Sequence, residues 1–251
     1  MPPKSKSNEN LCSKVFLDFD IGSIENYENE KKAYALAKDF IKENSSIYGW
    51  PENITELDEQ QQELAKSIFD TNPVWNSKGS IQFNEPKSIR HRIVFELYPS
   101  ATPKTCKNFT TIIEGTYVSK KINKAITYKQ VPMHRIVKDF IAQGGDVTRF
   151  DGSGGDSIYN GKFNDEKEGL KIAIDQKGLL VMANSGKNTN TSQFFITLND
   201  DASKYKKITG KHVVFGKCIE GMEIIDKINE CGSSDGTPSN SVIIGDCGLM
   251  K

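Results

Sequence analysis

Apolar and polar residues alternate in several short segments of the chain. In residues 15–21, VFLDFDI, one side of the segment carries Val15, Leu17, Phe19 and Ile21, and the other side carries Asp18 and Asp20. A period of two residues is typical of a half-buried β-strand, and residues 93–98 repeat it. Four more short strands, separated by glycine-containing turns, are predicted at 178–183, 193–198, 213–218 and 242–247. Many short strands of this kind favour a closed barrel or a sandwich.

Two helices are predicted among these strands. The first begins at Thr102-Pro103, because proline is favoured at the first helical position, and it ends at Gly115. Its buried face is predicted to consist of Cys106, Phe109, Thr110 and Ile113. The second helix spans residues 222–230, and its inward-facing residues are predicted to be Met222, Ile225 and Ile228.

Residues 23–88 have a different pattern, which predicts a helical hairpin inserted between two strands. One helical stripe is formed by Ala33, Leu36, Ala37, Phe40 and Ile41. After a break at Trp50-Pro51, Thr55–Asp58 resembles a capping box and predicts a second helix, with an apolar face of Leu57, Leu64, Ala65 and Ile68. Residues 24–70 contain eleven acidic and five basic residues. Two interpretations stay open: a structural addition packed on the main domain, or a docking surface for a basic partner.

The domain organisation that follows has three parts. Residues 1–12 are predicted to be a disordered tail, residues 13–22 and 89–251 the main domain, and residues 23–88 the helical insertion.

The composition narrows the range of functions. Thirty-three Lys and Arg balance thirty-three Asp and Glu in 251 residues, so no overall charge attracts nucleic acid or a membrane surface. No apolar segment approaches the roughly 20 residues of a membrane span, and none forms the core of a signal peptide. Five cysteines without a CxxC pair indicate reduced thiols. We therefore expect a monomer without metal or cofactor in the cytoplasm, with the nucleus as the alternative because of Lys4 and Lys6.

Two polar segments are predicted to be loops, and two alternatives stay open for the function of each. The first is residues 117–129, and residues 118–138 contain six basic residues and no acidic one. This segment is either a solvated loop or an anion site, and the lack of interleaved aromatic residues disfavours nucleic acid. The second segment, residues 184–193, leads into a predicted strand. It is either a turn-rich connection or a loop that presents amides to an extended peptide.

The segment 133–146, MHRIVKDFIAQGGD, carries the most informative polar residues. It places Arg135, Phe140 and Gln143 within nine residues of an otherwise apolar, strand-like run. Burial of an unpaired charge is costly, so an arginine in such a run needs an acceptor. Either a group of the protein pairs with Arg135, or its guanidinium is held ready for a ligand carbonyl.

Four segments together resemble the signature blocks of the cyclophilins, which are peptidyl-prolyl cis–trans isomerases. They match in order and spacing: MHRIVKDFIAQGGD, FDGSGGDSIYNGKF, LLVMANSGKNTNTSQFFIT and GKHVVFGK. The resemblance covers residues 89–251 and the strand at 15–21, whereas residues 23–88 have no counterpart in the minimal family domain. It implies a mainly β fold, an eight-stranded antiparallel closed β-barrel capped by two α-helices.

The resemblance also implies a site. The residues that match the family's catalytic positions are Arg135, Phe140, Gln143, Asn184, Phe195 and His212. Those that match its substrate-binding positions are Ile141, Gly152, Ser153, Ala183, Thr189, Gln193 and Ile208. In this family the arginine donates to the twisted X–Pro amide, the proline ring enters an apolar pocket, and amide side chains hold the substrate backbone.

The sequence departs from the family pattern at three positions near the site. Ile141 replaces a common methionine, and Thr191 replaces a glycine of the polar loop. The usual tryptophan before His212 is missing: spacing places Lys207 there, and Tyr205 is the other candidate to fill the gap. Because that tryptophan supports the binding of cyclosporin in the family, we expect weak cyclosporin binding here.

Two functions of different classes follow. The first is an active isomerase that acts on exposed X–Pro peptides and assists protein folding. The alternative is a proline-peptide binding module with little activity, part of a larger assembly such as a spliceosomal one, in which residues 23–88 contact a protein partner. RNA binding by the lysine-rich loop is a third, disfavoured function, because the net charge is zero.

Overall fold

The computed structural model describes residues 13–250, in which the chain divides into two compact units. One unit contains the chain up to Gly22 and from Arg90 onward, and the other is Ser23–Ile89. The predicted disordered tail, residues 1–12, lies outside the described residues. None of the helices in residues 13–250 combines the length and the apolar character that a membrane span requires.

The first unit is built on one antiparallel sheet of nine strands. Its strands are β1 (Lys14–Ile21), β2 (Arg90–Leu97), β5 (Val131–Pro132), β6 (Arg135–Val137), β7 (Ile141–Gly144), β8 (Leu179–Met182), β9 (Phe194–Thr197), β10 (Val214–Glu220) and β11 (Val242–Met250). Two further short strands, β3 (Val118–Ser119) and β4 (Lys124–Ala125), form a separate hairpin. This hairpin lies in the lysine-rich segment that was predicted to be a loop.

The mainly β, antiparallel prediction is confirmed, but closure of an eight-stranded barrel is not. The sheet has the strand order β5-β11-β1-β2-β10-β8-β9-β7-β6, and its described pairings end at β5 and β6. These edge strands are separated in the chain by Met133 and His134 alone, so the sheet must curl until its two edges are close. One reason for the gap in the ladder is Pro132 in β5, which has no backbone N–H to donate.

Six helices are described in the two units together: α1 (Ile24–Tyr48), α2 (Glu59–Thr71), α3 (Pro73–Asn76), α4 (Pro103–Glu114), α5 (Lys167–Lys171) and α6 (Met222–Glu230). The predicted start and end of α4 are confirmed, since Pro103 is its first residue and Gly115 caps it in a left-handed conformation, φ 69°. In α6 the prediction for Met222 is wrong, because this first residue of the helix is 36% exposed. Ile224 is buried beside Ile225 and Ile228 instead.

The interior of the curled sheet is the main core of the first unit. Phe109 of α4 contacts three aromatic rings, Tyr128, Phe194 and Phe215, with centroid distances of 5.0 to 5.3 Å. The apolar residues of β1 and β2 complete this core. Burial of such large side chains is the main stabilising contribution, at about 1.5–3 kcal/mol for each apolar side chain.

Strand β1 is buried on both faces, contrary to the half-buried strand that was predicted. Asp18 and Asp20 are 5% and 4% exposed. Each carboxylate receives two hydrogen bonds from one guanidinium on β2, Asp18 from Arg92 and Asp20 from Arg90, at 2.7–2.8 Å. A carboxylate is stable at this depth because the paired arginine replaces its hydration.

The second unit contains three helices rather than the predicted hairpin. Phe40 of α1 lies 5.3 Å from both Phe69 and Trp75 between ring centroids, and Trp75 belongs to the unpredicted helix α3. The capping box is at Asp58 and Gln61, three residues later than predicted. Leu64, which was assigned to the buried face of α2, is 51% exposed.

Candidate active site

Three residues of the predicted site are direct neighbours across the sheet. Arg135 on β6 pairs with Gln143 on β7, and Gln143 pairs with Phe195 on β9. Directly opposed residues of antiparallel strands project from the same face, with Cβ atoms about 4.5–5.5 Å apart. The register therefore brings a cation, an amide and an aromatic ring together, although 60 positions of the chain separate the first from the last.

The side chain of Arg135 is exposed, although the residue belongs to an otherwise apolar run. Within residues 13–250 its guanidinium forms no hydrogen bond or ion pair with another side chain or with the backbone. Its aliphatic stem passes closely over Gly236, where a Cβ atom would lie 2.9 Å from Cγ of Arg135. Gly236 has a φ of 92°, and its carbonyl accepts a hydrogen bond from the backbone N–H of Ile136 at 2.9 Å. The turn thus supports the strand that carries the arginine and leaves the guanidinium open to solvent.

A second apolar cluster lies on the face of the sheet that carries this site. Its buried members are Ile141, Ile174, Leu179, Val181, Ala183, Phe195, Tyr205 and Val214, and the half-buried Phe140 and Ile208 pack against it. Five residues of the predicted site, Phe140, Ile141, Ala183, Phe195 and Ile208, are therefore in one apolar layer. The cluster gives the site a rigid apolar base.

His212 borders this layer. Its ring meets that of Phe195 edge-on, with centroids 5.6 Å apart and planes at 74°. Its Nδ1 lies 3.0 Å from the carbonyl oxygen of Met182, and because a carbonyl accepts only, Nδ1 carries the proton. Burial lowers the pKa of His212 from its ordinary value of 6.5. The ring is therefore neutral at pH 7 and contributes an uncharged wall.

Tyr205, one of the two candidates for the place of the missing tryptophan, lies in the apolar layer. Its side chain is fully buried, and its ring stacks on Phe140 with centroids 5.4 Å apart and planes at 17°. The Tyr205 hydroxyl donates to the carbonyl of Phe140 at 2.8 Å and accepts from the backbone N–H of Asn199 at 3.0 Å. Burial raises the pKa of Tyr205 to about 12, so the hydroxyl keeps its proton. Lys207, the position given by spacing, is exposed.

A polar groove of about 670 Å³ adjoins the apolar layer. Seven residues of the predicted site line it: Gln143, Gly152, Ser153, Ala183, Asn184, Thr189 and Gln193. Nε2 of Gln143 donates to Oε1 of Gln193 at 3.0 Å, and Nε2 of Gln193 donates to the carbonyls of Gly152 and Gly154 at 2.9 Å. This chain of bonds fixes the side chain of Gln143, which lines the groove, and uses its Nε2 but not its Oε1.

Asn184 is placed between this groove and a second pocket of about 560 Å³ that His212 lines. Its Nδ2 donates to the carbonyl of Lys211 at 2.9 Å, and its Oδ1 accepts from the backbone N–H of Gly186 at 3.2 Å. The side chain of Asn184 thus holds two loops together.

Asp146 shapes the groove wall, and it is not among the site residues predicted from the sequence. Burial alone would raise the pKa of this carboxyl, but hydrogen bonds from Thr148, Arg149 and Gly154 outweigh burial and lower it. The backbone N–H of Gly152 also donates to it at 3.0 Å. Residues 148–154 therefore wrap around this carboxylate and are held by hydrogen bonds to it. The signal in the sequence was an acidic residue directly after Gly144-Gly145 and six residues before the glycine-rich segment that begins at Gly152.

Two lysines of the groove were also missed. Lys121 and Lys162 line it, and Nζ of Lys121 donates to the carbonyl of Gly155 at 3.3 Å. Lys121 comes from the hairpin of β3 and β4, which no motif connects with the site. For Lys121 the signal was present only as the local excess of positive charge in residues 118–138, whereas Lys162 belongs to the segment FDGSGGDSIYNGKF.

The described residues offer binding groups rather than reactive ones. Within residues 13–250, no group of three or more His, Cys, Asp or Glu side chains could hold a metal ion. The thiols of Cys106, Cys218 and Cys247 are buried, and burial raises the pKa of each to about 11. These thiols are therefore protonated at pH 7 and poor nucleophiles. What the site can do is hold an extended peptide beside an open guanidinium.

Comparison with known families agrees with this geometry. A family model described as "Cyclophilin type peptidyl-prolyl cis-trans isomerase/CLD" matches residues 81–249, which is most of the chain. The match includes Arg135, the apolar layer and the whole groove.

Proposed function

The chain belongs to the cyclophilin-type peptidyl-prolyl cis–trans isomerase family and is an enzyme of that class; we propose that it isomerises exposed X–Pro bonds of proteins and assists their folding. We assign Arg135 the task of stabilising the twisted amide. The observation that carries this assignment is that Arg135 is exposed, has no partner within residues 13–250, and is in register with Gln143 and Phe195.

The chemistry of the reaction explains why an unpartnered cation is useful. Rotation about an amide bond costs about 18–20 kcal/mol because it removes the resonance of the amide. At the top of this barrier the prolyl nitrogen becomes pyramidal and has a free lone pair. A guanidinium that donates to this lone pair binds the twisted state more strongly than either planar isomer, and only such differential binding accelerates the reaction.

The apolar layer would hold the proline ring. Phe140, Ile141, Phe195 and Ile208 provide apolar surface, and His212 adds a neutral edge. A charged imidazolium in this place would have to be desolvated by the ring, which is costly. The neutral state of His212 at pH 7 therefore suits an apolar guest.

The polar groove would hold the peptide on the amino-terminal side of the proline. Gln143 is fixed by Gln193 and offers its amide carbonyl, and Gly152, Ser153, Ala183, Thr189 and Asn184 provide surface for an extended chain. When the substrate backbone is held on one side, rotation is confined to the X–Pro bond, and restriction of this kind lowers the entropic part of the barrier.

We also propose that cyclosporin binds weakly. Tyr205 stacks on Phe140, but it is fully buried and offers no surface to a ligand. Lys207, which is exposed, cannot replace the apolar edge that a tryptophan would provide.

A binding module with little activity is the second candidate function. What supports it is the unit Ser23–Ile89, which exposes the apolar residues Ile47, Leu64 and Val74 by 51–69%. Such residues are a common component of protein–protein contact surfaces.

Exchange spectroscopy by NMR on an acetylated Ala-Ala-Ala-Pro-Phe peptide distinguishes these two functions without a coupling protease. The isomerase accelerates cis–trans exchange at catalytic enzyme concentrations. A module would broaden or shift the peptide signals at stoichiometric concentrations only, without faster exchange.

A further inference from the structure

The polar groove that adjoins the apolar layer carries positive charge. Of the charged side chains described in the structure, the two that line it are Lys121 and Lys162, and both are cations. Neither forms an ion pair with a described residue. An uncompensated pair of cations in a cleft creates a positive potential that selects ligands by charge.

Lys121 is fixed at the groove by the hairpin that carries it. Ser119, which is fully buried at the end of β3, donates its hydroxyl to the carboxylate of Asp156, and the backbone N–H of Lys121 donates to the same hydroxyl oxygen at 3.2 Å. Nζ of Lys121 then reaches the carbonyl of Gly155, a neutral acceptor, at 3.3 Å. The ammonium group is therefore positioned by two contacts but is not neutralised by either.

Four acidic groups of the described residues lie beside the groove, and each already accepts hydrogen bonds from the protein. Asp146 accepts from the backbone N–H groups of Gly152 and Gly154, and the exposed Asp151 accepts from the backbone N–H of Ser153 at 2.8 Å. Asp156 is 2% exposed and also accepts from the backbone N–H of Ser157 at 2.8 Å. Asp165, which lines the neighbouring pocket, accepts from Asn188 and Asn190 at 2.8 Å. That pocket contributes Lys187 and Lys211 as well. The charged residues that line the groove itself are thus both cations, although the whole chain has a formal net charge of zero.

From this geometry we infer that the enzyme prefers X–Pro substrates with an acidic residue on the amino-terminal side of the proline, and that Lys121 and Lys162 determine this preference. The inference rests on the proposed function, because it presumes that the groove holds the amino-terminal part of the peptide. A glutamate or aspartate in the groove meets two cations, whereas a lysine is repelled by both. The polar groove, rather than the apolar layer that holds the proline ring, then determines which X–Pro peptides the enzyme prefers.

A peptide series tests the inference directly. We would measure kcat/KM by NMR exchange for acetylated Ala-Ala-Ala-Pro-Phe, with Glu or Lys replacing one of the three alanines at a time, and normalise each rate to the cis content of the free peptide. At the position that lies between the lysines, we expect about a threefold gain for Glu over Ala and a similar loss for Lys, as partly exposed charge pairs give. At about 0.5 M salt the preference should shrink, because the Debye length falls to about 4 Å.

Variants identify the groups responsible. The double variant Lys121→Glu, Lys162→Glu should reverse the order of the Glu and Lys peptides. The matched control is Lys120→Ala, which removes an exposed lysine of the same hairpin that does not line the groove, and it should keep the wild-type order.

The outcomes separate the inference from the function on which it rests. Equal rates for the Glu, Ala and Lys peptides would overturn the charge preference and leave the isomerase intact. An acidic preference that persists in the double variant would also overturn it, because other groups would then be responsible. If the enzyme accelerates exchange in none of the peptides, the proposed function itself fails.

Discussion

The ring of Tyr205 stacks on the ring of Phe140, and the hydroxyl of Tyr205 donates to the carbonyl of the same phenylalanine at 2.8 Å. Phe140 is thereby held by its ring and by its backbone. Since Phe140 follows β6 and precedes β7, this double contact fixes the connection between the strands that carry Arg135 and Gln143. A residue outside the family motifs therefore supports the geometry of the site.

Substitution of Tyr205 should separate its two contacts. Tyr205→Phe keeps the ring but loses the hydroxyl, which leaves the backbone N–H of Asn199 without its acceptor, whereas the carbonyl of Phe140 keeps the hydrogen bond from Leu198. We expect this change to lower the free energy of unfolding by about 1–3 kcal/mol. Tyr205→Ala also creates a cavity and should cost about 3–5 kcal/mol. Urea denaturation measures both values. Equal stability of wild type and Tyr205→Phe would show that the hydroxyl bonds contribute nothing net.

Cyclosporin affinity should depend on position 207. Wild-type protein is expected to have an inhibition constant above the micromolar range, because the exposed Lys207 offers no aromatic surface. Lys207→Trp should increase the affinity by about tenfold, which corresponds to about 1.4 kcal/mol of added contact. Inhibition of the isomerase by a dilution series of cyclosporin provides the measurement. Lys206→Trp is the control for an added tryptophan nearby, and a submicromolar constant for the wild type would refute the expectation.

The amide chain from Gln143 through Gln193 should affect catalysis more than stability. In Gln193→Leu, the side chain of Gln143 loses its acceptor, and the carbonyls of Gly152 and Gly154 lose their donor. We expect kcat/KM to fall about five- to tenfold, the equivalent of one hydrogen bond of about 1–1.4 kcal/mol. Gln176→Leu makes the same change at an exposed position and should leave kcat/KM unchanged. Wild-type kcat/KM in Gln193→Leu would show that the chain does not position Gln143.

Stability should decrease as the pH falls from 7.5 to 5.5. Burial lowers the pKa values of His91, His134 and His212 from 6.5, so the unfolded chain binds protons more readily than the folded chain in this range. The free energy of unfolding therefore rises with pH through this window. The stabilisation that comes from the neutral histidines is lost as the pH falls below about 6.5. Urea denaturation at both pH values tests this, and His212→Gln should reduce the difference. A protein that is more stable at pH 5.5 would contradict the buried, neutral histidines.

The periodic parts of the fold could be predicted from the sequence, because burial of one face leaves a direct mark on the residue pattern. Strands β1 and β2 and helix α4 follow from such patterns. The burial of Asp18 and Asp20 could not be predicted, because their partners Arg92 and Arg90 are 74 and 70 positions away in the chain. The sequence predicts the capping box at Thr55–Asp58, whereas the structure has it at Asp58 and Gln61. Both segments begin with a residue that can cap a helix and have an acidic or amide residue three positions later, so only the hydrogen bonds distinguish them.

The site was predictable to the extent that short motifs contain it. The register that places Arg135 beside Gln143 joins residues of one motif, whereas Lys121 reaches the groove from a hairpin with no motif of its own. Tyr205 illustrates the same limit: counting from Gly210 placed Lys207 at the missing tryptophan, but the extended loop turns Tyr205 inward, where its large ring can be buried. Long-range packing, rather than local composition, decided both cases.

The kinetics of Arg135 variants test the central claim most directly. We would measure kcat/KM by NMR exchange for the wild type, Arg135→Ala, Arg135→Lys and Lys138→Ala, the last as a matched removal of an exposed cation just after β6. If Arg135 stabilises the twisted amide, Arg135→Ala should lose about 10- to 150-fold, as expected for a hydrogen bond from a charged donor worth about 1.5–3 kcal/mol. Arg135→Lys should be intermediate, and Lys138→Ala should stay within about twofold. Stability should be nearly unchanged in all three variants, because both cations are exposed. A rate for Arg135→Ala equal to that of the wild type would contradict the assignment of Arg135.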